Sequence, residues 1–145
     1  MAVQFQKAEE VTTMKYISHT LLLLAAALLA IACQESLEER CQRESKSYTK
    51  KHCPLRIDEF TVMDSMTFHA PSHTVCYAYT LYGNADDADA VSKSDAHQLL
   101  RNQVRNSAHL KLYKEAGYSF RYIYFSAKDK GRKLLDTTIS EKDYR

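Results

Sequence analysis

One spacing of side chains in the sequence is suited to metal coordination. His69, His73 and Cys76 follow one another as His-x-x-x-His-x-x-Cys around Pro71, and imidazole nitrogen and thiolate sulfur are ligands that Zn²⁺ prefers. A structural zinc site needs four ligands, however, and no fourth residue stands at a matching spacing. We therefore keep these three residues as weak metal candidates. We expect turn histidines beside a core cysteine, with no resident metal or cofactor.

Two catalytic arrangements can also be written from residue types alone. A cysteine nucleophile with a histidine base would draw on Cys53 or Cys76 and on His52, His73, His97 or His109. A carboxylate pair would draw on Asp58, Glu59 and Asp64. No local signature supports either one, since the chain has no phosphate-binding loop, no G-x-S-x-G and no G-x-G-x-x-G. We predict no catalytic residues, and a small secreted enzyme is the alternative.

Tyrosine is unusually frequent, with ten Tyr and no Trp. Tyr77 and Tyr79 share one face of a predicted strand, and Tyr122 and Tyr124 share a face of another. Residues on one face of neighbouring strands contact each other, so the four could form a cross-strand ladder. Their rings and hydroxyls make them the predicted ligand or partner surface. The simpler interpretation is that Tyr is a good strand residue with its hydroxyl at the sheet rim.

The segments that precede these residues begin with an export signal. An unbroken apolar run covers residues 21–32, followed by Cys33 and then by charged residues. As a helix the run would rise about 18 Å against a bilayer core of about 30 Å, which favours a signal peptide over a membrane span. Met14 and Lys15 provide the positive start that such signals need. Residues 14–32 are therefore the predicted signal peptide, and 1–13 a mis-assigned start.

The end of the apolar run permits two processing routes. The sequence Leu29-Ala30-Ile31-Ala32-Cys33 resembles a bacterial lipobox, after which Cys33 would be acylated. Cleavage after Ala32 by ordinary signal peptidase would instead release a soluble periplasmic or secreted protein. A cysteine directly after the small residues favours lipidation. We therefore predict an exported lipoprotein of the bacterial cell envelope, anchored to a membrane through the lipid on Cys33.

The mature chain predicts a single α+β domain over residues 53–145, preceded by a polar segment, 33–52, that is either a weak helix or a tether. Alternating apolar residues predict two β-hairpins, over 55–82 and 118–139. Between them a helix begins at Ser94-Asp95 and ends at Gly117, and Asn106-Ser107 can split it. The second hairpin turns at Gly131.

The predicted order is therefore β-β-α-β-β, an antiparallel sheet from two hairpins with one main helix packed on one face. Leu99, Leu100 and Val104 are predicted to form the face of that helix that covers the sheet. The net charge of +2 and the ordinary content of apolar residues, 45%, are typical of a globular protein. Nucleic acid is not an expected partner, because a concentrated basic patch is missing.

Two motifs stand close together at the start of the domain: Cys53-Pro54-x-x-Ile57-Asp58-Glu59-x-Thr61-x-x-Asp64-Ser65 and then Tyr77-x-Tyr79-Thr80-Leu81. Through these motifs the domain resembles a family of small uncharacterised bacterial exported proteins and lipoproteins. The family pattern is CP-x-x-(V/I)-D-x-x-T-x-L-D-S followed by Y-x-Y-T-L. Met63 stands where the family has Leu, a swap that conserves volume. The resemblance extends to about Tyr144 and implies a fold unit, and it implies no mechanism.

Three cysteines remain if Cys33 carries lipid: Cys41, Cys53 and Cys76. The resemblance implies a packing role for Cys53, and the polar surroundings of Cys41 predict that it is not buried. We predict no obligatory disulfide, with Cys41–Cys53 as the optional one. The sequence as a whole predicts a non-enzymatic binding or envelope-assembly module with an unknown protein or ligand partner.

Overall fold

The structure of the chain, a computed structural model, describes residues 35–145. The predicted start, the signal peptide and Cys33 lie outside the described residues. The helices are α1 (Leu37–His52), α2 (Ala88–Lys93), α3 (Ala96–Asn106), α4 (Lys111–Glu115) and α5 (Glu141–Tyr144). The strands are β1 (Leu55–Arg56), β2 (Thr61–His69), β3 (Thr74–Leu81), β4 (Ser119–Ser126) and β5 (Lys133–Ile139). Within residues 35–145, no helix combines the length and apolar character needed to cross a bilayer.

The five strands form one sheet in the order β1-β2-β3-β4-β5. Both predicted hairpins are present, as the antiparallel pairs β2–β3 and β4–β5. The prediction of an all-antiparallel sheet is wrong, because β3 and β4 pair in parallel from Thr74↔Ser119 to Leu81↔Ser126. The crossover through α2, α3 and α4 brings the chain back to the end of the sheet where β3 began, so β4 runs in the same direction as β3. The fold is α+β with a mixed sheet.

The polar segment before the strands is a helix that packs on the sheet, so the predicted element order is also wrong. This helix, α1, has Ser36 as its N-cap. The Ser36 hydroxyl accepts from the Glu39 N–H at 3.1 Å, and the Glu39 carboxylate accepts from the Ser36 N–H at 2.9 Å. Cys41 is 2% exposed and Ser45 is 0% exposed, which corrects the expectation for Cys41. The stripe of α1 that faces the sheet repeats every four residues as Leu37, Cys41, Ser45 and Thr49.

Thr49 joins α1 to the outer edge of the sheet. Strand β1 pairs only with Val62 and Met63 of β2, so most of that edge has no neighbouring strand. The Thr49 hydroxyl accepts from the Met66 N–H at 2.8 Å and donates to the Met66 carbonyl at 2.7 Å. One side chain therefore satisfies both main-chain groups in the middle of the edge, which hinders the addition of a foreign strand.

Ser45 is expected to be replaceable by alanine without loss of stability. Its hydroxyl is buried beneath α1 and has no hydrogen-bond partner in the described part of the chain, and such a group costs about 1–3 kcal/mol. Ser45→Ala keeps the small volume and favours the helix, so urea unfolding should give an unchanged or higher free energy of unfolding. Ser45→Val, which adds volume at a fully buried position, should lower it by about 1–3 kcal/mol. A loss above about 1 kcal/mol for Ser45→Ala would contradict this account.

The single helix predicted from Ser94-Asp95 to Gly117 is two helices, α3 and α4, and the short helix α2 precedes it. Helix α3 begins after Asp95 and ends at Asn106 with Ser107 as its C-cap, so the predicted split is confirmed. The Lys114 ammonium donates to the carbonyls of Val104 and Arg105 at 2.9 and 2.7 Å. A cation at these carbonyls stabilises the end of α3.

The core lies between one face of the sheet and the helices α1, α3 and α5. Phe120, Ile139 and Val104 are each 0% exposed. Leu100 is 7% exposed, as predicted, whereas Leu99 is 67% exposed. The prediction for Leu99 is therefore wrong. Adjacent helix residues point about 100° apart, and only one of the two leucines can face the sheet.

Candidate binding groove

Two stacked tyrosine pairs lie at the centre of the sheet, on the face that the helices cover. The parallel register places Tyr77 opposite Tyr122 and Tyr79 opposite Tyr124. The ring centroids are 5.1 and 4.8 Å apart, with interplanar angles of 20° and 13°. The predicted cross-strand pairing is confirmed. The role of these four residues as a partner surface stays a prediction.

A groove of about 410 Å³ lies over these rings. Helix α1 forms one wall, and the other wall comes from α3 and its connection to α4. The lining residues are Tyr48 of α1, then Ile57, Met63, Met66, Tyr77, Tyr79 and Tyr122 of the sheet side, and Gln103, Ser107, His109 and Leu110 of the crossover. We call this cavity the tyrosine groove. Tyr124 stacks against Tyr79 outside the lining.

The lining of the tyrosine groove contains no Asp, Glu, Lys or Arg. Burial raises the pKa of Tyr77, Tyr79 and Tyr122, so these phenols stay neutral. Their hydroxyls have no hydrogen-bond partner among residues 35–145, and they are not fully buried, because the Ser45 hydroxyl is the one fully buried side-chain polar atom without a partner in that range. The groove therefore combines apolar walls with neutral groups that can still form hydrogen bonds.

The opposite face of the sheet carries a polar cluster that is satisfied internally. The Arg121 guanidinium donates to the two Asp136 carboxylate oxygens at 2.7 and 2.6 Å. The Lys133 ammonium reaches the same carboxylate at 2.7 Å. The hydrogen bond from Arg121 is the main reason that the pKa of Asp136 is lowered to about 2. Cys76 lies beside Arg121 on this face, because the two are register partners.

The three weak metal candidates do not converge. His69 Nδ1 is 2.8 Å from the Ser72 hydroxyl. His73 Nε2 is 2.5 Å from the Glu38 carboxylate, and its ring stacks on Tyr118 with centroids 5.1 Å apart. No three His, Cys, Asp or Glu side chains in the described ranges are grouped closely enough to hold a metal ion. A zinc site at His69, His73 and Cys76 has no geometric support.

The thiols are not arranged as nucleophiles. Cys41, Cys53 and Cys76 are all free. Burial raises the pKa of each thiol, that of Cys41 to about 11, which disfavours the reactive thiolate. Cys53 caps the end of α1, twelve positions after Cys41. Twelve helical residues correspond to about 18 Å along the axis. A disulfide requires Cα atoms within about 7 Å, so the prediction of an optional Cys41–Cys53 disulfide is wrong.

The candidate carboxylates also serve local structure. The Asp58 carboxylate accepts from the Phe60 N–H at 2.8 Å, in the turn before β2. The Asp64 carboxylate accepts from the Thr80 hydroxyl at 2.7 Å, across the β2–β3 pair. Asp58 and Asp64 therefore form hydrogen bonds to different groups, and they share no partner as a catalytic pair of carboxylates would.

Comparison with known proteins identifies a family and a shared fold. A family model described as a domain of unknown function, DUF8479, matches residues 36–135. No curated protein sequence matches the chain. A crystal structure of a Pseudomonas aeruginosa protein described as secreted superposes with a TM-score of 0.59 at 13% identity, over 77% of this chain and 100% of that one.

Two further structures with this fold are pilotins of type II secretion systems. The pilotin from Vibrio vulnificus superposes with a TM-score of 0.54 at 12% identity, over 75% of this chain and 92% of the pilotin. The pilotin from Vibrio cholerae gives a TM-score of 0.50 at 14% identity, over 74% and 91% of the two chains. At these identities the likeness concerns the fold alone.

Proposed function

We propose that this chain, which belongs to the DUF8479 family, is a non-enzymatic envelope-assembly module that binds a protein partner in the tyrosine groove. The observation that carries the proposal is the groove itself, a cavity without Asp, Glu, Lys or Arg that lies between two helical walls and has stacked tyrosines as its floor. Aromatic side chains with polar tips are enriched where proteins bind each other. The fold shared with two secretion-system pilotins and a protein described as secreted supports a role outside the cytoplasm.

The proposal includes export and a lipid anchor. The apolar run that ends at Cys33 supports acylation of that residue, and more than one acyl chain would hold the protein firmly on a membrane. The alternative is release after Ala32 as a soluble envelope or secreted protein. In both cases the partner is a protein of the cell envelope, and nucleic acid is not expected.

Exposed apolar side chains beside the groove support a docking role. Ile57 belongs to the lining and is 52% exposed. Leu99 precedes the lining residue Gln103 by one helical turn and therefore stands on the same side of α3. An exposed leucine next to an apolar cavity enlarges the surface that a partner can bury.

Cross-linking in cells tests the groove. A photo-reactive amino acid at position 103, in the groove wall, should give a discrete cross-linked protein band. Ser107→Trp should abolish that band, because the bulky ring would fill the cavity. The matched Ser92→Trp, on the exposed surface of α2, should leave the band intact.

Loss of the band with both tryptophan variants, or an equal band from position 130 in the β4–β5 loop, would contradict groove docking. The anchor has a separate readout in the same cells. Wild-type protein should fractionate with membranes and take up labelled palmitate, and Cys33→Ala should do neither. A wild-type protein found wholly in the soluble fraction would contradict the anchor while leaving the groove proposal untouched.

A further inference from the structure

The tyrosine groove contains hydrogen-bonding groups that the described protein leaves unused. The hydroxyls of Tyr77, Tyr79 and Tyr122 have no partner among residues 35–145, and neither do the side chains of Gln103 and Ser107. Tyr122 is 4% exposed as a whole residue and lines the cavity, but its hydroxyl still reaches open space, because among residues 35–145 the Ser45 hydroxyl is the one fully buried side-chain polar atom without a partner. An occupant that displaces water from the groove must supply hydrogen bonds to these hydroxyls in its place. A purely aliphatic chain would leave the hydroxyls unsatisfied.

The orientation of the rings restricts how an occupant can contact them. Tyr77 and Tyr122 stack with centroids 5.1 Å apart, and Tyr79 and Tyr124 with centroids 4.8 Å apart. One face of each ring is therefore covered by its partner. The rings rise from the sheet surface as strand side chains do, so edges and hydroxyls are directed at the groove. A sugar, which binds aromatic side chains by stacking on a ring face, can therefore reach at most one face of each ring. The geometry suits groups that accept or donate hydrogen bonds at the hydroxyl tips.

The absence of Asp, Glu, Lys and Arg from the groove lining further restricts the chemistry of the occupant. The single imidazole of the lining is that of His109, and its apolar members include Met63, Met66 and Leu110. Charged side chains would lose hydration there without meeting an Asp, Glu, Lys or Arg of opposite charge. An uncharged segment with small apolar side chains is complementary to this lining.

We infer that the tyrosine groove binds an uncharged, extended peptide segment of the partner through that segment's main chain, with its N–H and C=O groups bonded to the hydroxyls of Tyr77, Tyr79 and Tyr122. The inference rests on the proposed function and deepens it. A segment inside a helix has already used its main-chain groups internally. An extended segment offers every second N–H and C=O on each side.

Removal of the hydroxyls alone tests the inference. The variant Tyr77→Phe/Tyr79→Phe/Tyr122→Phe keeps the rings and breaks no hydrogen bond within the described chain, so its thermal midpoint should be unchanged or higher. Tyr144→Phe is the matched control. Its hydroxyl donates to the Tyr118 carbonyl at 2.7 Å, so this control should lower the midpoint and leave groove binding within twofold.

The probe is a heptapeptide selected from a random phage-displayed library on the purified full chain. Its affinity should fall by about tenfold or more for the triple variant, since each lost hydrogen bond costs a factor of about 2–10. The same peptide with N-methylated main-chain amides should lose affinity similarly. A tetramer of N-acetylglucosamine should neither bind nor compete.

The outcomes distinguish failure of groove docking from failure of main-chain recognition. If Ser107→Trp does not weaken the binding of any selected peptide, groove docking and this inference both fail. If Ser107→Trp blocks the peptide but the triple variant and N-methylation change its affinity less than twofold, the groove is a docking site and main-chain recognition is wrong. Competition by the N-acetylglucosamine tetramer would overturn the peptide in favour of a glycan.

Discussion

Replacement of Phe120 by alanine is expected to lower the free energy of unfolding by about 3–5 kcal/mol. Phe120 is 0% exposed on the interior strand β4, and its ring packs against Tyr144 with centroids 6.0 Å apart. Truncation removes buried apolar area and leaves a cavity that the sheet cannot close. Whole domains are stable by about 5–15 kcal/mol, so the variant should be close to unfolding at room temperature.

Urea unfolding followed by far-ultraviolet circular dichroism measures this effect. Phe125→Ala is the matched control, because Phe125 lies on the same strand, points to the opposite face and is only partly buried. Its loss should be clearly smaller. If Phe125→Ala costs as much as Phe120→Ala, the face that holds the core has been assigned wrongly. Phe120→Leu keeps most of the apolar volume, and it provides a folded variant if the alanine protein cannot be purified.

Two neighbouring leucines of α3 are expected to differ sharply. Leu100→Ala should lower the free energy of unfolding by about 2–5 kcal/mol, because Leu100 is 7% exposed in the core. Leu99→Ala should change it by no more than about 0.5 kcal/mol, because Leu99 is 67% exposed. Both variants lose the same atoms and keep a good helix former. The comparison therefore isolates burial.

Thermal or urea unfolding of the two variants side by side decides the point. Equal losses would mean that α3 is rotated about its axis relative to the packing described above. In that case Leu99 would contact the sheet and would no longer stand beside the tyrosine groove. A loss confined to Leu100 supports both the core and the position of Leu99 as an exposed apolar residue.

These leucines also show what the sequence can determine. The helical spacing identified α3 and two of its buried residues, Leu100 and Val104. It could not separate Leu99 from Leu100, because consecutive leucines satisfy the same periodicity and only the rotation of the helix against the sheet decides between them. The split at Asn106 was predictable, since two polar residues interrupt the apolar stripe there.

The sequence could not decide between a weak helix and a tether for the segment that forms α1, and the reason is different. Its sheet-facing stripe contains Cys41, Ser45 and Thr49, which are small or polar and give a weak hydrophobic signal. These residues allow the helix to approach the sheet closely, and Thr49 adds two hydrogen bonds to Met66. The capping box of Ser36 and Glu39 was the local signal that could have identified the helix.

Of the candidate site, only the tyrosines that form the floor of the groove could be predicted from the sequence. The alternation of Tyr77 with Tyr79, and of Tyr122 with Tyr124, showed which rings share a face, and pairing followed once the strands were neighbours. The parallel direction of β3 and β4 was not accessible, because it depends on the path of a long crossover. Gln103 and Ser107 form a wall of the groove, but they belong to no recognisable sequence motif. Only the path of the crossover brings them over the tyrosines.

The parallel join between β3 and β4 has a consequence for when the protein can fold. Each hairpin closes over a short turn, whereas the central pairing joins residues 45 positions apart, such as Thr74 and Ser119. Contacts of such long separation form slowly, because the chain loses entropy before the pairing stabilises it. Phe120 and Ile139, both 0% exposed, lie beyond the crossover. A growing chain therefore lacks the centre of its core until its last portion has been synthesised.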